Sequence, residues 1–110
     1  MIYNTEYKRE QRNPRLRGDV MPEERRRIEF HGRVQGVGFR SQARKYASAY
    51  GLKGWVRNEY DGSVTMEIQG NTDMINRVLK HLTSDRYIEI DWVDSKNIPL
   101  EEKDGFHVRY

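Results

Sequence analysis

Apolar residues along this chain recur with two different periods, and the switches between them mark the elements. Ile28, Phe30 and Val34 stand at even spacings with Glu29 and Arg33 between them, the alternation of a half-buried strand. Gln35-Gly36-Val37-Gly38 breaks that alternation. From Ser41 to Tyr50 the step lengthens: Phe39, Ala43, Tyr46, Ala47 and Tyr50 recur at three- and four-residue intervals and predict one buried face of a helix. Gly51 stands where a helix C-cap glycine is expected. Gly54 to Asn58 predicts a second strand, and Asp61-Gly62 a hairpin turn. Val64, Met66 and Ile68 alternate in a third strand, ended by Gly70.

Asn71 or Thr72 is placed to cap a second helix, with Asp73 in its first turn. The buried face of that helix is expected to carry Met74 or Ile75, then Val78, Leu79 and Leu82. Tyr87, Ile88, Ile90, Trp92 and Val93 predict a fourth strand with both faces partly covered. A loop with Pro99, Glu101 and Glu102 leads to Phe106, Val108 and Tyr110, which alternate in a last strand. The order is strand, helix, strand, strand, helix, strand, strand. Its economical arrangement is an α+β, ferredoxin-like α/β sandwich: a mainly antiparallel sheet of four to five strands with two helices on one face.

Upstream the periodicity stops. Pro14, Gly18 and Pro22 interrupt a segment with no sustained apolar pattern. Residues 1–27 hold eight basic and five acidic groups, an excess equal to the formal charge of +3 for the whole chain. Residues 28–110 are therefore neutral. A segment of this kind buries too little surface to offset its ordering entropy. Residues 1–24 are expected to be a flexible, disordered leader of mixed charge, and 25–110 the folded domain.

Composition narrows the function. The 110 residues suit one domain and include no cysteine, which removes disulfides, thiolate metal sites and cysteine nucleophiles. Mean hydropathy is −1.01, and no run approaches the roughly 18 apolar residues of a membrane span. The first residues contain no apolar core of a secretory signal. A cytoplasmic protein, acting away from membranes and as a monomer, is expected. The three histidines, His31, His81 and His107, show no spacing to carboxylates that resembles a metal site.

One loop carries candidate chemistry. Gly32-Arg33-Val34-Gln35-Gly36-Val37-Gly38-Phe39-Arg40 joins the first strand to the first helix. Such a glycine-rich turn exposes consecutive main-chain N–H groups at a helix N-terminus, where the potential is positive, and so forms an anion cradle. Arg40 closes it with a permanently charged planar fork suited to phosphate oxygens. A tight turn with a solvated arginine fits the same residues.

Further residues distinguish the two. Gly36-Val37-Gly38-Phe39-Arg40, then Ala47, then Gly51-Leu52-Lys53-Gly54-Trp55-Val56-Arg57-Asn58 and Asp61-Gly62, closely resemble the acylphosphatase family. Both halves of its signature, VQGVGFR and GLKGWVRN, stand in order, and Phe106 to Tyr110 looks like its last strand. The resemblance spans about residues 25–110. Ala43 departs from it, standing where many members carry a threonine or another β-branched residue, and Ser84 to Tyr87 lacks the Gly-Pro turn often seen there.

The resemblance implies metal-independent hydrolysis of acyl phosphates to a carboxylate and inorganic phosphate, with no cofactor. By the same analogy Arg40 binds the phosphoryl group together with the loop amides of Gln35, Gly36, Val37, Gly38 and Phe39, and Asn58 orients the attacking water. Read by itself, without the Arg40 motif, Asn58 is better taken as a strand-end residue capping a turn. The alternative function is a non-catalytic phosphate- or nucleic-acid-binding module of the same fold. The strand aromatics Phe30, Trp55, Trp92 and Phe106 favour it, and the neutral body speaks against nucleic acid as a partner.

Overall fold

The computed structural model describes residues 22–110. Residues 1–21 of the expected leader lie outside the described residues. Five strands and two helices follow one another as β1 (Glu23–Arg33), α1 (Phe39–Ala49), β2 (Lys53–Asn58), β3 (Val64–Asn71), α2 (Thr72–Ser84), β4 (Glu89–Ile98) and β5 (Phe106–Arg109). The sheet order is β4-β1-β3-β2-β5. Every pairing is antiparallel except β2 with β5, which is parallel. The fold is the expected ferredoxin-like sandwich, with β5 added beside β2.

Alternation sets the core. Ile28, Phe30, Val56, Val64, Met66 and Ile68 point to the helix side and are essentially inaccessible. Phe39, Ala43 and Ala47 of α1 and Ile75, Val78 and Leu82 of α2 meet them. Each helix packs on the sheet and on the other helix, so both occupy one face. Asn71 caps α2 by accepting from the N–H groups of Asp73 and Met74 at 2.9 and 3.2 Å. Helix α1 ends in paired C-terminal hydrogen bonds, Gly51 N–H to Ser48 O at 3.1 Å and Leu52 N–H to Ala47 O at 2.8 Å.

The opposite face is covered too, by polar side chains. Thr65, Glu67 and Gln69 alternate with the apolar residues of β3 and are as buried as they are. Arg25 and Arg27 close over Glu67 at 2.9 and 2.6 Å. The guanidiniums of Arg27, Arg57 and Arg109 lie 5.6, 4.9 and 4.4 Å from the Trp55 ring. The loop 99–105 clasps Gln69, whose side chain donates to Glu101 O and accepts from Glu101 N–H at 2.8 and 2.9 Å. Long arginine stems thus act as a second, thin hydrophobic layer.

Strand β4 departs from expectation. It runs on to Ile98 and is exposed along almost its whole length rather than partly covered on both faces. It is the sheet edge, pairs only with β1, and lies beyond the reach of α2, which packs on β3. Among the strand aromatics, Phe30, Trp55 and Phe106 are buried, whereas Trp92 is 52% exposed and stacks on His31 at 3.8 Å.

One glycine is required by the sheet itself. At Gly54 an added Cβ would stand 1.8 Å from Glu67 O on β3. Backbone meets backbone there, which explains the glycine inside a strand.

Candidate active site

Strands β1, β2 and β5 run in the same direction, so the loop after β1, the last residue of β2 and the end of β5 come together at one end of the sheet. Residues 34–38 turn the chain from β1 into α1. Gly36 and Gly38 take positive φ values of 73° and 86°, a conformation that residues with a Cβ rarely adopt. Space is not the reason for glycine here, since an added Cβ would meet nothing within 4 Å at either position. Main-chain conformation is: the turn from β1 into α1 takes positive φ at both positions.

The loop N–H groups are free. No acceptor among the described residues takes the N–H of residues 35–38. Gly38 is the N-cap of α1 and supplies no side-chain cap, so the positive end of the helix dipole is left open as well. The helix begins at Phe39, two residues before the expected start, which brings Phe39 and Arg40 into its first turn. Phe39 is buried and packs against Phe30 with ring centroids 4.8 Å apart, anchoring the loop to the core.

Arg40 points out beside the loop. It forms no ion pair among the described residues. Its guanidinium lies 4.9 Å from the centroid of the Tyr110 ring. Aromatic contact of that kind orients the fork without neutralising it.

Asn58 closes the other side. Its backbone pairs with Val64 in the β2–β3 ladder. Its Oδ1 is buried and has no hydrogen-bond partner. The hairpin turn beyond it is held by other groups. Glu59 N–H donates to Ser63 O at 2.9 Å. Asp61 Oδ1 accepts from the N–H and the hydroxyl of Ser63 at 2.9 and 2.6 Å, and these bonds hold the Asp61 carboxyl below its ordinary range. The Asn58 side chain takes no part in that turn among the described residues.

Gln35 ties the two sides together. Its Nε2 donates to Glu59 O at 2.8 Å and Ser63 O at 2.9 Å. The side chain therefore faces the hairpin, leaving only the Gln35 main chain toward the loop. Val37 packs against the core.

A single cleft brings together Gly36, Gly38, Phe39, Arg40 and Asn58. Gln35 and Val37, expected in the same set, are not part of its wall. The cleft also takes in residues that sequence reading passed over: Ser41, Arg44, Lys45 and Ser48 of α1, and Val34, Val108 and Tyr110. Helical spacing from Arg40 to Arg44 and Ser48 was the available signal. Among the described residues no Asp or Glu side chain lines the cleft. Among the described residues no group of three His, Cys, Asp or Glu is placed to hold a metal ion, and no helix is long and apolar enough to cross a membrane.

Chemically, the arrangement is a loop of hydrogen-bond donors and one guanidinium, with the Asn58 side-chain amide beside them in the cleft wall. It suits a tetrahedral oxyanion with a water beside it.

Comparison with known proteins agrees. The acylphosphatase family model matches residues 26–108. An acylphosphatase of Picrophilus torridus is 37% identical over 82 residues, 74% of this chain and 96% of the relative. The solved acylphosphatase of Coxiella burnetii superposes with a TM-score of 0.73 at 32% identity, covering 79% of this chain and 93% of that one. The acylphosphatase of Bacillus subtilis does so with a TM-score of 0.73 at 28% identity, covering 78% and 98%. The family model spans every residue of the cleft except Tyr110, and the chain belongs to the acylphosphatase family of hydrolases.

Proposed function

We propose that the cleft hydrolyses the carboxyl–phosphate anhydride of acyl phosphates as follows. The main-chain N–H groups of Gln35 to Phe39 and the Arg40 guanidinium hold the phosphoryl group, and Asn58 orients the attacking water. The observation that supports this division of labour is that one cleft holds Gly36 and Gly38, the Arg40 guanidinium and Asn58, with loop N–H groups, guanidinium and amide oxygen all unpaired among the described residues. Each wants a complement that the fold withholds.

The bond being broken explains why so little is needed. A carboxylate leaves with a conjugate-acid pKa near ~4, against ~15.7 for water itself. It requires no proton from a general acid. Phosphoryl transfer commonly passes through a loose transition state in which the nucleophile is little bonded, so the water requires placing more than activating. The Asn58 side-chain amide hydrogen-bonds the water and fixes its position, and a phosphoryl oxygen takes the one proton the water loses as the new bond forms. Charge on the equatorial oxygens meets the loop N–H groups and Arg40, an oxyanion-type contribution of ~3–4 kcal/mol for a well-aimed donor.

This chemistry works without a metal or cofactor. The same scheme makes ordinary phosphate monoesters poor substrates, since their alkoxide would leave unprotonated. A cytoplasmic, monomeric protein acting on small molecules fits the cysteine-free sequence and the neutral charge of residues 28–110.

Steady-state hydrolysis of acetyl phosphate tests the scheme, wild type beside Arg40→Ala. Turnover should fall by about 10²–10³ in the variant, with inhibition by inorganic phosphate weakened in step, and EDTA should leave the wild type unaffected. An Arg40→Ala enzyme that binds phosphate as tightly as wild type would overturn the assignment.

A further inference from the structure

Gln35 stands in the loop between β1 and α1, yet its side chain serves another segment. The ladder of β1 with β3 ends at Phe30 opposite Val64. Beyond that pair, the loop 34–38 and the hairpin turn 59–63 share no backbone hydrogen bond among the described residues. The Gln35 amide spans the gap. Its Nε2 donates to Glu59 O at 2.8 Å and to Ser63 O at 2.9 Å, so both of its hydrogens go to main chain 24 and 28 residues away. No other side chain among the described residues hydrogen-bonds the loop to the hairpin.

The hairpin closes without these bonds. Ser63 O also accepts from Glu59 N–H at 2.9 Å, and Glu59 O from Gly62 N–H at 3.2 Å. The Asp61 carboxylate holds Ser63 as well. Each carbonyl therefore keeps a partner when the Gln35 amide is removed, and the turn keeps its shape. What goes is its attachment to the loop. Asn58 directly precedes this turn, and its Oδ1 has no partner among the described residues. The place of Asn58 relative to the loop N–H groups is thus set through its neighbours, Glu59 above all.

We propose that Gln35 is a positioning residue for hydrolysis: its side chain, through Glu59 O and Ser63 O, holds Asn58 at a fixed distance from the loop N–H groups and Arg40. The side-chain amide touches neither the phosphoryl group nor the water; it sets how far apart their two holders stand. The proposal deepens the proposed function and rests on the assignment of the water to Asn58. Attack on phosphorus is steep in geometry, and a misplacement of ~1 Å costs up to about 10² in rate. A phosphoryl group held by several loop N–H groups and a guanidinium is far less sensitive to a shifted hairpin.

Gln35→Met keeps the length of the side chain and removes both donors. The test measures acetyl phosphate hydrolysis and the inhibition constant of inorganic phosphate for wild type, Gln35→Met, Asn58→Ala and the double variant. Gln35→Met should lower kcat about tenfold, with the phosphate inhibition constant within about twofold of wild type. In the Asn58→Ala background the same substitution should change kcat by less than about twofold, because a brace has no effect once the group it places is gone. A kcat unmoved by Gln35→Met, or lowered by equal factors in both backgrounds, overturns the proposal and leaves Asn58 in its role. A phosphate inhibition constant that rises as far as kcat falls overturns it too, since the Gln35 side chain would then support the anion cradle. A wild-type kcat in Asn58→Ala overturns the assignment of the water and the proposal together.

Discussion

Replacing Asn58 with alanine separates chemistry from architecture, because the structure gives opposite expectations for the two. Asn58 ends β2, and its backbone ladder to Val64 is independent of the side chain. Its Oδ1 is buried and unpartnered among the described residues, so deletion breaks no hydrogen bond among them. What is lost is a few side-chain contacts and whatever the amide holds in the cleft. What is removed is a buried acceptor whose desolvation costs ~1–3 kcal/mol when unmet. The two nearly cancel, and stability should change by no more than ~1 kcal/mol in either direction. For a domain of this size that is a Tm shift within about 4–8 °C.

Turnover should behave otherwise. If Asn58 places the water, its loss removes an interaction made with the nucleophile and not with the bound phosphoryl group, so kcat falls with little change in affinity. A positioned amide in a transition-state contact is worth ~2.7–4 kcal/mol, or about 10²–10³ in kcat. The assay is acetyl phosphate hydrolysis, with the inhibition constant of inorganic phosphate measured on the same preparations and Tm by calorimetry. A variant that loses more than ~2 kcal/mol of stability while keeping its kcat would show that Asn58 is a strand-end fastening. A raised phosphate inhibition constant with unchanged kcat would place it in the anion cradle instead.

Two further outcomes test the fold. Gly54→Ala should cost more than ~4 kcal/mol or prevent folding, because its Cβ would meet a β3 carbonyl at 1.8 Å; Gly38→Ala, with open space around it, should cost only the ~1–2 kcal/mol of left-handed strain, and urea melts compare them. Glu67 is pushed up by burial but pulled further down by hydrogen bonds and charge from Arg25 and Arg27, so its pKa lies below the ordinary 4.5. The stability it contributes is complete above the unfolded pKa and is lost as pH falls through the folded one, so Tm should be level above pH ~5 and drop below ~4.5, and Glu67→Gln should flatten that acid limb while lowering Tm at neutral pH.

Much of this fold is written in residue periods. The alternation of Val64, Met66 and Ile68 and the helical steps of Ala43, Ala47, Val78 and Leu82 appear unchanged as buried faces. Where the reading fell short, the missing information lies between elements. Asp94-Ser95-Lys96-Asn97 has no alternation because an edge strand exposed on both faces imposes none, so the second half of β4 read as loop. The start of α1 was set late because no Ser, Thr, Asn or Asp precedes it; a left-handed glycine stands at the N-cap instead. Nothing local announces that Thr65, Glu67 and Gln69 are buried, since their cover comes from Arg25, Arg27 and Glu101 through strand register and a distant loop.

The cleft divides along the same line. Its cradle is made of main chain, and main chain can be turned inward only by residues that tolerate positive φ, so Gly36 and Gly38 betray it in the sequence. Arg40 and Asn58 were legible only as parts of a linked motif, because what distinguishes them is a lack of partners. A guanidinium without a carboxylate and an amide oxygen without a donor look in sequence like any other arginine and asparagine. Arg25, Arg26, Arg27 and Arg57 are each matched to a glutamate, while Arg40 and Arg44, on consecutive turns of α1, are matched to none among the described residues. A missing ion pair is not the mark by itself, since Arg33, Arg77, Arg86 and Arg109 have none among the described residues and stand outside the cleft; what sets Arg40 apart is that it stands unpaired in one cleft with the glycine loop and Asn58.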